Sequence, residues 1–210
     1  MIKRTLLLSL LLATGSLQAQ DQTSATDNNK AKPIIDTVCL ACHMGDGNSL
    51  VPEQPKLAGQ HAEYLYKQMR DFSTAARVNP IMNGMIFMLP DDESLRAAAE
   101  FYAAQKLDPA AAKNNDKNSD AFKMGEKLWR SGVASKGLPA CAACHGPAGK
   151  GLPNQYPALA GQFPEYIELQ LKIFRDETRT NDPSKMMRDI ALKMTDKEIK
   201  AVSDYAAGLR

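Results

Sequence analysis

All four cysteines and two of the three histidines of this 210-residue chain fall into two short blocks, Cys39-Leu-Ala-Cys42-His43 and Cys141-Ala-Ala-Cys144-His145. Two residues between the thiols let both reach one macrocycle, and an imidazole directly after the second thiol is held beneath its metal. This is the attachment pattern of a c-type haem. Cys39, Cys42, Cys141 and Cys144 would add across porphyrin vinyl groups, and His43 and His145 would be the proximal iron ligands. Two haem c groups are therefore expected. Zinc competes, but structural zinc sites usually recruit a second, distant ligand pair, and each block has one histidine and no further cysteine. Pooling the four thiolates on one metal would leave the histidines without a role. A redox dithiol needs a βαβ context that the chain lacks.

An iron bound by histidine has a second axial position, and a thioether there closes the coordination sphere and raises the reduction potential. The chain has ten methionines. A run from Asn79-Pro-Ile-Met82 to Met88 precedes the last helix of the first half, and Met186-Met187 stands in the same place in the second. Met82 lies seven residues before Leu89, and Met187 seven before Met194. We assign Met82 and Met187 as the distal ligands, with Met186 as a packing neighbour. Methionine is also a common core filler, and Met85 or Met88 stay open as the first distal ligand.

The elements that must position these residues come as a repeat. Residues 55–68 recur as residues 157–170, an offset of 102 that also separates Cys39 from Cys141. Pro55, Leu57, Gly59, Gln60, Glu63, Tyr64, Gln68 and Phe72 all meet their own residue type at that offset. One offset carrying both blocks and their flanks means a duplicated domain. Helical spacing of Tyr64, Leu65, Gln68 and Phe72 predicts an amphipathic helix over residues 60–75, with a counterpart over 162–174. Further helices are expected over 33–38, from Asp91 or Asp92 through 105, over 120–130 up to Gly132, and over 199–209 behind a Thr195-to-Glu198 capping box. Residues 77–89 read as irregular. His61 faces Phe163 across the repeat and reads as a solvated residue of a surface helix. Pro55 and Pro157, each in a Pro-x-Leu-x-Gly context, read as turns before helices. No stretch alternates as a strand, so the fold class is all-α in two halves.

Residues 1–19 read as a secretory signal peptide: Lys3 and Arg4, an apolar stretch from Leu6 to Leu12, and a cleavage site at Ala19. The protein is then expected in the periplasm, soluble once cleaved, with peripheral membrane association if the leader stays attached. Residues 20–30 read as a polar leader, 31–106 as the first domain, 107–119 as a linker and 120–210 as the second domain. Without Lys3 and Arg4 the chain has 24 basic and 24 acidic residues, which gives no footprint for nucleic acid. Residues 31–106 hold 7 basic and 9 acidic side chains, and 120–210 hold 14 and 11. That modest dipole is either ordinary solvated surface or a means of orienting the molecule on redox partners.

The residues from Cys39 to Asn48, Pro55 to Gln60, Tyr64-Leu65, Asn79 to Met82 and Arg179 to Asp182 resemble the dihaem cytochrome c4 family over nearly all of the mature chain. The resemblance implies two tandem class-I cytochrome c domains in pseudo-twofold association, with haems near the interface and propionates facing each other. It implies axial methionines at Met82 and Met187, and carbonyls of Pro55 and Pro157 on the proximal histidines. It also implies periplasmic electron transport, from a quinol-cytochrome c reductase-type donor toward a terminal oxidase-type acceptor. Two departures stand out: one extra residue between Met82 and the following helix, and Asp189 where the family has glycine. An electron carrier with no substrate chemistry is the favoured function. The alternatives are a cytochrome subunit of a periplasmic dehydrogenase, and a dihaem redox enzyme with an open iron site.

Overall fold

Leu65, Gln68 and Phe72 recur at intervals of three and four residues, so one stripe of a helix can be buried while the opposite stripe meets water. The computed structural model describes residues 30–89, 91–110, 116–153 and 155–210, and it is helical throughout. The signal peptide expected over 1–19 and residues 20–29 of the leader expected over 20–30 lie outside the described residues; Lys30, its last residue, is helical. Among the described residues, β-structure is limited to two isolated bridges, Val133 with Leu138 and Leu152 with Tyr156.

In the first half, α1 (residues 30–34) runs through a π-helical segment, Ile35–Cys39, into α2 (Leu40–His43). After a loop come α3 (Ala62–Ser73), α4 (Pro80–Phe87) and α5 (Asp92–Ala103). The second half has α6 (Asp120–Ser131), α7 (Ala142–His145), α8 (Pro164–Arg175), α9 (Met186–Ala191) and α10 (Asp196–Ala207). The starts of α4, α5, α6 and α10 follow side-chain caps that satisfy otherwise orphaned N–H groups. Asp91 accepts from the Ser94 N–H at 2.8 Å, and Thr195 and Glu198 form the expected capping box.

Residues 77–89 differ from the irregular stretch expected. Asn79 accepts from the N–H groups of Ile81 and Met82 at 3.1 and 3.0 Å, and Pro80 fills the first helical position, where an N–H would have no partner. The cap was written in the sequence, but Gly84 and a nearly uniform apolar run hide the helical period behind it. The segment after α5 is fastened at its start. Asp108 N–H donates to Asn48 Oδ1 at 2.7 Å, and Ala110 N–H donates to the Gly161 carbonyl at 2.8 Å.

The most extensive helix packing lies within each half: α3 with α5 and α4, and α10 with α6 and α8. The first half has two small cores. Ile35, Leu65, Ala98, Ala99 and Tyr102 form one, with Cys39 against it; Phe72, Ile86 and Leu95 form the other, with Met82 against it. The second half has a single larger core that includes Leu128, Trp129, Ile167, Leu171, Ile199 and Val202, with Cys141 and Met187 at its edge. At the α6–α10 crossing, a Cβ on Gly125 would stand 2.4 Å from the Ala201 carbonyl oxygen, so only glycine lets these helices approach so closely. In the second half one core reaches from the thiol block to α9, whereas in the first half the two cores divide those contacts, one taking Cys39 and the other Met82.

Ile199 is fully buried at the centre of the larger core. Ile199→Ala is expected to cost about 2–5 kcal/mol through lost burial and a residual cavity. Denaturant unfolding of the holoprotein checks this, and a cost below about 1 kcal/mol would contradict the packing described.

Candidate haem sites and the seam between them

In each half a one-turn helix carries the histidine, and the loop after it folds back to meet the ring. His43 Nδ1 lies 2.9 Å from the Pro55 carbonyl oxygen, and His145 Nδ1 lies 2.9 Å from that of Pro157. A carbonyl can only accept, so the proton resides on Nδ1. Burial lowers the pKa of both rings, against the opposing pull of the proline carbonyls, so both are neutral at ordinary pH. A neutral imidazole protonated at Nδ1 presents a lone pair at Nε2, the state a metal ligand needs.

The loops are held by duplicated contacts. The Gly47 carbonyl accepts from Leu57 N–H at 2.8 Å and Ala58 N–H at 3.2 Å; the Gly149 carbonyl accepts from Leu159 and Ala160 at 2.8 and 3.0 Å. Both glycines have positive φ, 75° and 68°, a conformation that side chains disfavour. An aromatic residue from a long helix fastens each turn after the histidine. Tyr102 hydroxyl donates to the Met44 carbonyl at 3.1 Å, and Trp129 Nε1–H to that of Pro147 at 3.2 Å. Trp129 and Tyr156 also flank His145, with ring centroids 6.4 and 6.2 Å away.

Cys39, Cys42, Cys141 and Cys144 are partly buried and form no disulfide with one another. Burial pushes Cys39 and Cys141 up to about 11, the reverse of the depressed pKa that thiol exchange requires. Among the described residues, no three His, Cys, Asp or Glu side chains gather around a common point that could hold a metal ion, so the four thiols are not pooled. What each half does offer is two thiols and one Nε2 lone pair, which is the donor set of an attached haem.

The candidate distal methionines stand on other elements. Met82 is half-buried on α4 and Met187 half-buried on α9, whereas Met88 is 60% exposed at the end of α4. The approach to α9 is braced by Asp182, which accepts from Arg188 N–H at 3.0 Å and Arg188 Nε at 2.8 Å. Burial alone would raise the pKa of this carboxyl, but the bonds from Arg188 hold it below the usual carboxylate range.

The two halves meet in a pseudo-twofold polar seam, built from residues 102 positions apart. Gln60 Nε2 donates to the Ala158 carbonyl and its Oε1 accepts from Ala158 N–H, both at 2.9 Å. Gln162 does the same to Lys56, at 2.9 and 3.0 Å. Arg77 reaches Gln68, Tyr166 and Gln170 at 2.8, 3.2 and 3.0 Å. Arg179 mirrors it, reaching Gln170, Tyr64 and Gln68 at 2.6, 3.3 and 2.9 Å. Each guanidinium also stacks on its own domain's phenylalanine, Arg77 on Phe72 and Arg179 on Phe174. Burial would raise the Tyr64 phenol pKa, but the two guanidiniums bring it down. One side breaks the symmetry: Lys67 and Asn181 converge on Asp71 with no counterpart across the axis.

Sequence reading recognised Gln60, Tyr64 and Gln68 as repeated residues but gave them no role. Arg179 enters it only as the start of a block that resembles the family, and Arg77 has no role in it, although the same offset of 102 relates them. His61 is not simply solvated: its Nε2–H donates to the Lys150 carbonyl of the other half at 2.9 Å. Histidine and phenylalanine both serve at this repeat position because both lie along the seam, where Phe163 meets Lys56 Nζ.

Two helical domains, each presenting a Cys-x-x-Cys-His turn with its imidazole turned by a loop carbonyl, define a c-type cytochrome with two attachment sites. The family model for cytochrome c matches residues 123–209. Cytochrome c4 of Thiocapsa roseopersicina is 46% identical over 82% of this chain and 87% of that protein. The thiosulfate dehydrogenase electron acceptor of Stutzerimonas stutzeri strain A1501 is 37% identical over 95% of this chain and 91% of that one. The crystal structure of reduced recombinant cytochrome c4 from Pseudomonas stutzeri superposes with a TM-score of 0.77 at 36% identity, covering 91% of this chain and all of that one. The chain belongs to the cytochrome c4 family. It is a dihaem electron-transfer cytochrome of two class-I domains, an electron carrier rather than an enzyme, with haem c at the cysteine pairs 39/42 and 141/144.

Replacing Cys39 and Cys42 together by alanine should halve the covalently bound haem and leave the second attachment intact. Intact-mass measurement after denaturation checks this, and loss of both haems or of neither would contradict independent attachment.

Proposed function

We propose that this cytochrome carries single electrons between respiratory complexes in the periplasm, with His43 and Met82 as axial ligands of one iron and His145 and Met187 of the other. The observation that carries the ligand assignment is the duplicated 2.9 Å contact from His Nδ1 to a proline carbonyl, which leaves Nε2 free in both domains. Met82 and Met187 fit the opposite axial position because each is half-buried against its own domain core. Histidine–methionine ligation closes the iron and favours a relatively high potential, as suits a carrier that must accept from a quinol-oxidising complex. The haem, when bound, supplies the one-electron couple; the chain orients the ring, fixes its tautomer and keeps it away from water. The signal peptide read over residues 1–19 supports the periplasmic location, and residues 31–106 and 120–210 are proposed as the two domain spans.

Electrons would enter from a quinol-cytochrome c reductase-type donor and leave toward a terminal oxidase. A second reading has the chain as the acceptor of a periplasmic dehydrogenase, favoured by its 37% identity to a thiosulfate dehydrogenase electron acceptor. Stopped-flow reduction of the oxidised holoprotein separates them. Fast, salt-sensitive reduction by a quinol-cytochrome c reductase, followed by reoxidation by a terminal oxidase, supports the first. Reduction by thiosulfate dehydrogenase with thiosulfate, and none by the reductase, supports the second. Rapid binding of carbon monoxide to either ferrous haem at neutral pH would defeat methionine ligation in both.

The Asp182–Arg188 brace gives this ligation a pH dependence. The carboxyl pKa is depressed in the folded protein, so its stabilisation is complete above the ordinary carboxylate range and is lost as pH falls through the lower, folded value. The methionine-to-iron charge-transfer band of the second haem should therefore fade in acid before the protein unfolds. Asp182→Asn, which has no carboxyl to titrate, should weaken the band already at neutral pH and remove this step of its acid dependence.

A further inference from the structure

The N–H of Ala158 and the carbonyl of Pro157 are two ends of one peptide group, and so are the N–H of Lys56 and the carbonyl of Pro55. In each group the oxygen accepts the Nδ1 proton of the histidine in its own domain, at 2.9 Å. The N–H of the same group donates to a glutamine of the opposite domain: Ala158 to Gln60 Oε1 at 2.9 Å, Lys56 to Gln162 Oε1 at 3.0 Å. The side chains at the ends of these contacts are buried, His43, Lys56, Gln60, His145 and Gln162 all being at most 9% exposed; the Lys56–Gln162 contact is itself buried and the others are partly so. Hydrogen bonds in series polarise one another, most strongly where the local dielectric is low. A peptide whose N–H is engaged by an amide oxygen is a better acceptor at its own oxygen.

The geometry points to a crossed control of the two iron sites, in which Gln60 sets the donor strength of His145 and Gln162 sets that of His43. Each glutamine is thus a positioning residue for the other domain's ligand. It acts through two hydrogen bonds and does not touch the ring itself. The loop at 55–60 holds both the peptide that receives this pull and the glutamine that exerts it on the other half, and the loop at 157–162 does the same. Gln60 N–H is tied to the Leu57 carbonyl at 3.2 Å, and Gln162 N–H to that of Leu159 at 3.2 Å, so each glutamine is fixed to the loop that serves its own histidine. Whatever alters one proximal loop is passed to the other without any change in the haem-bearing helices. The direction follows from ligand basicity. A stronger pull on Nδ1–H makes the imidazole a more basic ligand, which favours the ferric state. Removing the glutamine oxygen favours the ferrous state.

This inference rests on His43 and His145 being the proximal ligands. Its test is a spectroelectrochemical titration of the holoprotein, with paramagnetic NMR assigning each couple to its domain. Gln60→Leu should raise the ferrous-to-ferric ratio of the His145 haem about threefold at a fixed potential, about 28 mV at 59 mV per tenfold for one electron. The His43 haem should move much less. Gln162→Leu should give the mirror image. Gln60→Glu keeps an oxygen opposite Ala158 N–H, gives up the Nε2 donor to the Ala158 carbonyl, and by its stronger acceptor should shift the His145 haem the other way and more than the His43 haem. It serves as the decisive variant if leucine opens the seam. Shifts that fall on the substituted domain's own haem, that are equal at both, or that are absent with both haems attached would overturn the crossed control. A wild-type protein whose irons lack histidine ligation would defeat the ligand assignment itself.

Discussion

Orienting an imidazole while leaving one nitrogen free is a demanding constraint, because a buried neutral ring has two nitrogens and each seeks a partner. The chain resolves it by giving Nδ1 a proline carbonyl at 2.9 Å in both domains. That carbonyl must arrive from a loop, since helical carbonyls are already engaged by their own helix. The loop in turn must be rigid, and much of what surrounds the site serves that end. The carbonyls of Gly47 and Gly149 hold the loop from within the domain, while Gln162 and Gln60 hold it from across the seam. The long helices then supply the mass against which the loops rest.

The seam is where duplication has the largest structural effect. A polar contact between two copies of one surface is self-complementary when each residue meets its partner's repeat equivalent, as in an isologous interface. Here a single chain has that property. Arg77 does to Gln170 and Tyr166 what Arg179 does to Gln68 and Tyr64. Guanidiniums drawn out of water are costly unless their N–H groups are satisfied; Arg179 is buried and Arg77 half-buried, and each is met by amide and phenol oxygens and by a phenylalanine face. The arrangement fixes the angle between halves more firmly than an apolar patch of similar size, because a slip of a few ångströms would leave several buried donors without acceptors.

Much of this was legible in the sequence. The attachment blocks follow from spacing alone, and the duplication follows from one offset. Helices with clear stripes, such as the one carrying Leu65 and Phe72, were expected to within a few residues of their ends. The helix at Pro80–Phe87 was not, since its burial is one-sided only through Ile86 and its period is masked by neighbouring apolar residues. The Pro55 and Pro157 contacts came from family resemblance, because nothing in local spacing says which carbonyl a histidine will meet twelve residues later. The crossed contacts were out of reach for a different reason. The repeat marks Gln60 and Gln162 as equivalent, but equivalence does not say that each faces the other copy.

That exchange of glutamines has a consequence for how such a molecule can change over evolutionary time. A half cut free would take with it the side chain its sibling relies on and lose the one it relies on itself, so excision damages both products. Gene duplication here created a mutual dependency, and a return to the solitary ancestral form would require rebuilding two buried loops at once.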